Sequence, residues 1–496
     1  MADKFMIIIG AGLGGLSAGC YGQMNGYATK IFERQPNSGG VCVSWKRKGY
    51  VFDYAVHNLF GIVPGTSDYH IWKELGALDG LQTYSFKEFV QVETPEGKKF
   101  IVYTDLDKLQ NHMNQLSPSD KHKINEFVKA CRRFRGYDLF AGMTGGMGAK
   151  LRLLPVLRSV MKYSKITTED FAKNFSDPFL QKAFATIQYD LSGVPVLIPM
   201  IFMAAMSKGD AGWPVGGSSA LASNIEKSYL NLGGHISFRS RVDKILVENN
   251  KAVGVQLEDG SKHFADLIVS AADGYATIFD MLQGNYVNDS IRTYYDSYPK
   301  TMPFGLEIYY GLNQQFDGEP HALVLFQDEP ITIEDREYDR LDVEVFNFDS
   351  SFAGSGKTVV KVVVDSAYDY WQNLSADKDA YNNQKKRLAD QVAERLNKRF
   401  AGFKNSIEAV DVVTPVSVVH WTGGYRGFCL PWPAPEQISG EVSKNGVSKT
   451  LPGLENFYMV GQWAVGMNGL GTAAHSGRNL IKQLCKNDNK KFKTTL

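Results

Sequence analysis

A chain of 496 residues, 44% hydrophobic and 22% charged, is long enough for two or more domains with their own cores and has ordinary globular make-up. Its formal net charge of +1 excludes a global field that would draw in nucleic acid. The five cysteines, Cys20, Cys42, Cys131, Cys429 and Cys485, form no C-x-x-C pair, which predicts reduced thiols in a cytoplasmic protein and no metal site. Only Met1–Lys4 precede the first predicted strand, leaving no room for a signal peptide, and no apolar run reaches the roughly 18 residues of a membrane span.

Residues 5–9 (FMIII) read as a strand buried on both faces of a parallel sheet. They feed into Gly10-Ala11-Gly12-Leu13-Gly14-Gly15, a G-x-G-x-x-G turn. Gly10 allows the tight turn, Gly12 lets backbone approach a pyrophosphate, and Gly15 lets the following helix pack on the strand. The helix start offers free N–H groups to phosphate. Leu13, Leu16, Cys20 and Met24 recur at helical spacing, and Gly26 ends the helix. Thr29–Phe32 form a second strand, closed by Glu33, whose carboxylate can accept from a ribose diol. Strand, turn, periodic helix and terminal acid are the context that a dinucleotide site requires.

Arg34 and the pair Gly39-Gly40 follow, then a strand Gly49-Tyr50-Val51-Phe52-Asp53. This extension resembles the flavoprotein superfamily of amine oxidases and phytoene desaturases. The resemblance implies that Glu33, Arg34, Gly39 and Gly40 contact FAD and that the strand 49–53 passes beside the flavin. Asp53 can equally be a turn or cap aspartate. His57, in DYAVHNLFG, makes the chain similar to the retinol-saturase-like branch more than to the carotenoid desaturases. A histidine there can move a proton, or it can be a core residue bonded to backbone.

Residues 89–103 predict a hairpin that begins a substrate domain, and 105–135 predict helices with Ser117-Pro118-Ser119-Asp120 as a start signal. Residues 149–165 carry only positive charges, Lys150, Arg152, Arg158, Lys162 and Lys165, among leucines, valines and a methionine. Such a basic amphipathic stretch suits a membrane interface, or a lid helix packed on its own protein with the basic face outward. The apolar run 194–206 (VPVLIPMIFMAAM) suits a substrate tunnel or an ordinary core.

Residues 212–273 return to nucleotide-fold sequence: the stretch from Gly212 to Ser219 starts a helix that ends at Gly233-Gly234, and several short strands follow. The resemblance implies that Val242 holds the adenine edge through its backbone. Strands recur over 300–365 and a charged helix over 380–400. In the stretch 411–432 a family-like Thr-Pro strand leads to a glycine turn, with Trp421, Tyr425 and Arg426 as pocket candidates; Arg426 is otherwise a surface charge. The closing block resembles the second FAD motif: a strand Phe457–Val460 ends at Gly461-Gln462, and Asn468-Gly469-Leu470-Gly471 opens a helix. The family's usual acid is replaced by Gln462, and Met467-Asn468 stand for its Pro-Gly. The helix start at Gly469 and Leu470 would point its N–H groups at the flavin pyrimidine.

The expected fold is therefore α/β: a doubly wound, Rossmann-like FAD-binding domain built from 1–84, 206–285 and 411–490. Inserted into it is a mixed α+β substrate domain from 85–205 and 286–410, with a helical lid within 105–205. Residues 487–496 would be a disordered basic tail. The expected activity is FAD-dependent desaturation or saturation of carbon–carbon bonds in a long apolar substrate such as an isoprenoid, polyene or fatty-acyl chain. His57 and Arg426 are the catalytic candidates. The protein would be cytoplasmic with peripheral membrane contact through 149–165. Rival readings are a flavin amine oxidase, a non-redox cis–trans or double-bond isomerase, and a flavin-stabilised lipid carrier.

Overall fold

The computed structural model describes residues 4–139, 142, 147–189, 191, 193–445, 449–466 and 468–495. Met467 thus lies outside the described residues. The opening strand β1 (Phe5–Ile9) is followed by α1 (Leu13–Met24) and β2 (Ala28–Phe32). β1 occupies the centre of a five-stranded sheet in the order His235–Ser237, β2, β1, Leu267–Ser270, Phe457–Met459. Every pairing in it is parallel.

Alternation along β1 divides its side chains between two cores. Met6 and Ile8 pack with α1, the helix Gly217–Asn231 and the last helix, Leu470–Asn487. Ile7 and Ile9 face the antiparallel meander Val242–Glu248, Lys251–Leu257 and Lys262–Phe264. This is why FMIII is apolar throughout: no face of the strand meets water. α1 lies close on the sheet because Gly15 has no side chain; a Cβ there would collide with the Gly10 carbonyl. α1 also crosses the last helix closely, with Ser17 Oγ donating to the Ala474 carbonyl at 2.6 Å.

A second sheet has seven strands in the order Ile407–Val413, Met302–Leu312, Thr358–Ser366, Arg336–Val345, Ala322–Ile333, Glu88–Glu93, Lys99–Tyr103. Its only parallel pairing joins Glu88–Glu93 to Ala322–Ile333, so the early hairpin attaches to strands that come more than two hundred residues later. The strand Ile407–Val413 runs through residue 411, so the sheet takes a few residues expected in the nucleotide-binding part. The helix Lys378–Arg399 covers one face through Leu388, Val392 and Leu396. Helices between Leu106 and Met206 pack around the hairpin end of the sheet.

Two expectations are corrected. Thr414-Pro415 does not continue a strand: Thr414 caps the helix Pro415–Thr422, its hydroxyl accepting from the Ser417 amide, with proline in the first turn. The C-terminal basic segment is not a loose tail. Lys493 exchanges backbone hydrogen bonds with the Asn25 side chain at 2.7 and 3.0 Å, and the Phe492 ring lies 5.8 Å from that of Tyr21. One apolar residue and two satisfied backbone groups anchor a segment whose composition alone predicts solvation.

The basic stretch forms two helices, Met147–Arg152 and Leu154–Tyr163, with Pro155 in the first turn of the second. Among the described residues no helix is long and apolar enough to cross a membrane.

Replacing Gly15 by alanine should lower stability by roughly 1–3 kcal/mol, because the added methyl forces α1 off the sheet. Chemical denaturation followed by tryptophan fluorescence measures this; an unshifted midpoint would mean that the helix can move at no cost.

Candidate active site

A cavity of about 1040 Å³ runs between the two sheets. Its wall includes the backbone of Gly10, Gly12, Gly14, Gly39, Gly40 and Gly461, with Glu33 and Arg34 also lining it. Gly10 takes φ +94°, and the chain turns so that the amide end of α1 faces the cavity. The Gly39 amide donates to the Ala11 carbonyl at 2.9 Å, which brings Gly39 and Gly40 onto the same turn. A Cβ on Gly14 would stand 2.9 Å from Gly461 Cα, and one on Gly40 would stand 3.3 Å from Gly12 Cα. Three distant segments thus leave a cradle that side chains would fill, next to the starts of two helices. Backbone donors with positive dipole ends fit a pyrophosphate.

The structure places Gly10, Gly12, Leu13, Gly14, Glu33, Arg34, Gly39, Gly40, Val242, Gly461, Gln462, Gly469 and Leu470 on the wall of this cavity. Gly15 does not reach it and acts through packing. Glu33 is buried at the end of β2, and its carboxylate accepts from the Ala11 amide at 2.7 Å and the Gln35 amide at 2.8 Å. Each oxygen keeps a lone pair for a further donor. Burial raises its pKa, and the two amides and Arg34 act in the opposite direction. The Gln462 amide side chain donates to the Cys429 carbonyl at 2.5 Å, so it ties the closing motif to the strap 428–432.

The inner half is apolar. The helix Leu197–Met206 turns Ile198, Ile201 and Phe202 to the cavity, at the spacing of one helix face, while Leu197, Met200 and Met203 stay in the lid core. Val56, Leu59, Phe60, Leu191, Phe304 and Leu430 complete the wall. Phe304 has φ +55° at an irregularity in strand Met302–Leu312, and its ring sits 5.1 Å from that of His57. A non-glycine residue in this conformation is strained, and strain of this kind gathers at functional sites.

His57 lines the cavity, and its Nδ1 lies 2.6 Å from Glu344 Oε1 rather than against backbone. Glu344 also accepts from the Tyr189 hydroxyl at 2.9 Å and pairs with Lys361 Nζ at 2.7 Å. Burial opposes ionisation of Glu344, but His57 and Lys361 outweigh it and hold its carboxyl well below the usual range. Glu307, also on the cavity wall and fully buried, behaves oppositely: burial pushes its carboxyl up to about 7 against the pull of Lys361. Sequence reasoning missed Glu307, Glu344 and Lys361. The only signal for Glu307 and Lys361 was a single charge inside an otherwise apolar strand, in GLEIYYGL and TVVKVVV; Glu344 shares DVEVFNF with Asp342.

Arg426 is corrected. It does not line the cavity; its guanidinium lies 4.6 Å from the Tyr298 ring and 4.9 Å from the Tyr368 ring, and 2.5 Å from Asp369 Oδ2. A cation paired and stacked near the surface avoids the desolvation that the apolar cavity would impose. Tyr425 stacks on Tyr275 at 3.8 Å and also stays outside, whereas Trp421 lines the cavity. Asp53 proves to be a cap: it accepts from the Ser218 amide and hydroxyl and from the Ser44 hydroxyl, each at 2.7 Å. All five cysteines are free and buried.

The raised carboxyl of Glu307 has a stability consequence. Its protonated form is favoured in the fold, so its contribution is full below the ordinary carboxylate pKa and is lost as pH rises through about 7. A Glu307→Gln variant escapes that loss. Relative to the parent it should gain about 3 kcal/mol between pH 4.5 and pH 8, because each pH unit between the unfolded and folded pKa costs the parent about 1.4 kcal/mol. Denaturation at several pH values checks this; a difference independent of pH would mean that Glu307 ionises like a solvated carboxylate.

The sequence model of flavin containing amine oxidoreductases matches residues 13–479. A chloroplastic prolycopene isomerase from Daucus carota is 24% identical over 458 residues, spanning 86% of this chain and 72% of the relative. A lycopene-forming phytoene desaturase from a Paracoccus strain is 27% identical over 300 residues, 57% of each chain. The solved structure of an oxidoreductase from Methanosarcina mazei superposes with a TM-score of 0.62 at 18% identity, covering 96% of this chain and all of that one. With a family match along nearly its whole length and a glycine cradle shaped for the pyrophosphate of FAD, this chain belongs to the flavin-containing amine oxidoreductases and is a FAD-dependent oxidoreductase.

Proposed function

We propose that the protein changes the bonding between carbons of a long apolar substrate, a polyene or isoprenoid, by desaturation, saturation or isomerisation. The observation that carries this reading is the inner half of the cavity, walled by Ile198, Ile201, Phe202, Leu59, Phe60 and Leu430 and continuous with the glycine cradle. That wall offers a long apolar chain a dry surface, with His57 and Glu307 among the few polar groups beside it. Relatives named for prolycopene isomerisation and phytoene desaturation support the same substrate class.

Bound FAD supplies two-electron hydride exchange. In this reading Gly10, Gly12, Leu13 and Gly14 hold its pyrophosphate, and Glu33 and Arg34 flank the ribose. The Val242 backbone meets the adenine, and the helix start at Gly469 and Leu470 faces the flavin ring. The protein's own work is to orient the apolar chain, keep water out and handle protons. A second reading, oxidation of an amine, is favoured by Tyr54 and Trp421, set edge-on at 6.0 Å and lining the same cavity as Glu307.

The purified protein should carry flavin absorbance and act on phytoene or prolycopene. Product lighter by two hydrogens indicates desaturation, and product of unchanged mass but altered retention indicates isomerisation. Oxygen uptake with amines and no change in either polyene would overturn the carbon–carbon reading.

An apolar substrate also needs delivery, and contact of the lid with a lipid surface supports it. Leu151, Leu154, Leu157 and Met161 are four of only eight large apolar side chains exposed among the described residues, and Arg152 and Arg158 stand beside them. Lys162 is partly neutralised by Glu126 at 2.7 Å. The protein should sediment with vesicles of anionic phospholipid at low salt, and the double change Arg152→Glu and Arg158→Glu should abolish this. Sedimentation that survives the double change would sink the idea.

A further inference from the structure

The seven-stranded sheet has two unlike faces. Leu306, Ile308 and Tyr310 turn to the helix Lys378–Arg399, as do Val360, Val362, Val343 and Val345 from neighbouring strands. Alternation therefore sends Glu307, Tyr309, Lys361 and Glu344 to the cavity side. In register Tyr309 lies opposite Lys361, and Lys361 lies opposite Glu344. Glu307 is the diagonal neighbour of Lys361 on the same face. All four side chains are buried.

Within this row the charges are unevenly shared. Glu344 is held by both Lys361 and His57. Glu307 has no cation of its own among the described residues. Its Oε2 meets the Tyr309 hydroxyl, and Oε1 has no hydrogen-bond partner among the described residues. Yet Glu307 is on the cavity wall. A buried acceptor left unmatched in a native fold calls for a reason, and Oε1, itself closed to water, belongs to a residue that borders the cavity.

We propose that Glu307 is the proton-carrying residue of this cavity: its Oε1 takes a proton from a substrate carbon, or returns one to it. This rests on the carbon–carbon reading above. In desaturation the C–H bond breaks, its electron pair becomes the second bond of the alkene, and an O–H bond forms at Oε1. Bound FAD would be the two-electron oxidant that takes up the hydride of the neighbouring carbon. Saturation is the reverse, and isomerisation adds and removes the proton with no net transfer of electrons. Lys361 and Glu344 are positioning residues, and His57, with Nδ1 committed to Glu344, joins them.

The groups that face Glu307 are Lys361, Tyr309, His57 and Glu344, together with Tyr54 and Cys429. Both protonation states of Glu307 are populated near neutral pH, which is what a group that both gives and takes a proton requires.

The test uses the full-length flavin-loaded protein. Infrared difference spectra taken across neutral pH should show a protonated-carboxyl stretch that fades as pH rises through about 7 and is missing from Glu307→Gln. With phytoene as probe, Glu307→Gln should lose on the order of 100-fold in kcat with KM and flavin content little changed. It should also lose the neutral limb of the pH profile, and Glu307→Asp should restore part of it. A band that persists in the Gln variant, or parental kcat and pH profile in that variant, overturns the proposal. A parent protein whose band titrates but which consumes amines and no polyene overturns the carbon–carbon reading and the proton transfer to carbon with it. The band then still reports the carboxyl, so the two failures are told apart.

Discussion

The nucleotide site depends on a close approach of backbone to backbone, to which three distant segments contribute. A β-carbon on Gly14 would stand 2.9 Å from Gly461 Cα, and one on Gly40 would stand 3.3 Å from Gly12 Cα. The sheet delivers these residues: β1 ends at the first turn, and Phe457–Met459 ends just before Gly461. A parallel sheet buried on both faces can hold such ends in register, because its central strand is fixed by two cores rather than one. The Gly461 amide is itself held, donating to Ser476 Oγ in the last helix at 2.9 Å.

The second sheet solves a different problem. It must be hydrophobic enough to fold and polar enough to do chemistry, and it separates the two by face. The helix Lys378–Arg399 receives the aliphatic side, and the charged row is turned to the cavity. Burying Glu307, Glu344 and Lys361 costs several kcal/mol per ion before pairing. Pairing offsets this for Glu344 and Lys361, which share an ion pair, and much less for Glu307, which is driven toward its neutral form. The strained backbone at Phe304 and the ring contact with His57 lie at the edge of the same region. Stability has been given up beside the cavity, while the side chains of β1 on both faces of the nucleotide-binding sheet are apolar.

The helical region carries two apolar surfaces with different partners. Helix Leu197–Met206 divides its side chains between the cavity and the lid core. The pair of helices over 147–163 leaves Leu154, Leu157 and Met161 facing outward beside arginine, while Val156 and Tyr163 point inward. A helix with an apolar outer edge and basic neighbours is suited to an interface between water and lipid.

The sequence by itself determined the local geometry of the nucleotide site. Strand, glycine turn, helix and acid follow one another within about thirty residues, and each is dictated by short-range sterics: a tight turn at Gly10, close packing at Gly15, a helix start at Leu13. The motif at Gly461 was legible for the same reason. What only the tertiary structure decided depends on register between strands far apart in the chain. Glu307, Lys361 and Glu344 form a row only after three strands pair, and no spacing in the sequence announces it. Arg426 and Asp53 sit in motif-like strings, yet distant partners, Asp369 with two tyrosine rings and Ser218, assign them to packing and capping. The C-terminal segment was misjudged because its charge is local information, whereas its anchors, Asn25 and Tyr21, come from the other end of the chain.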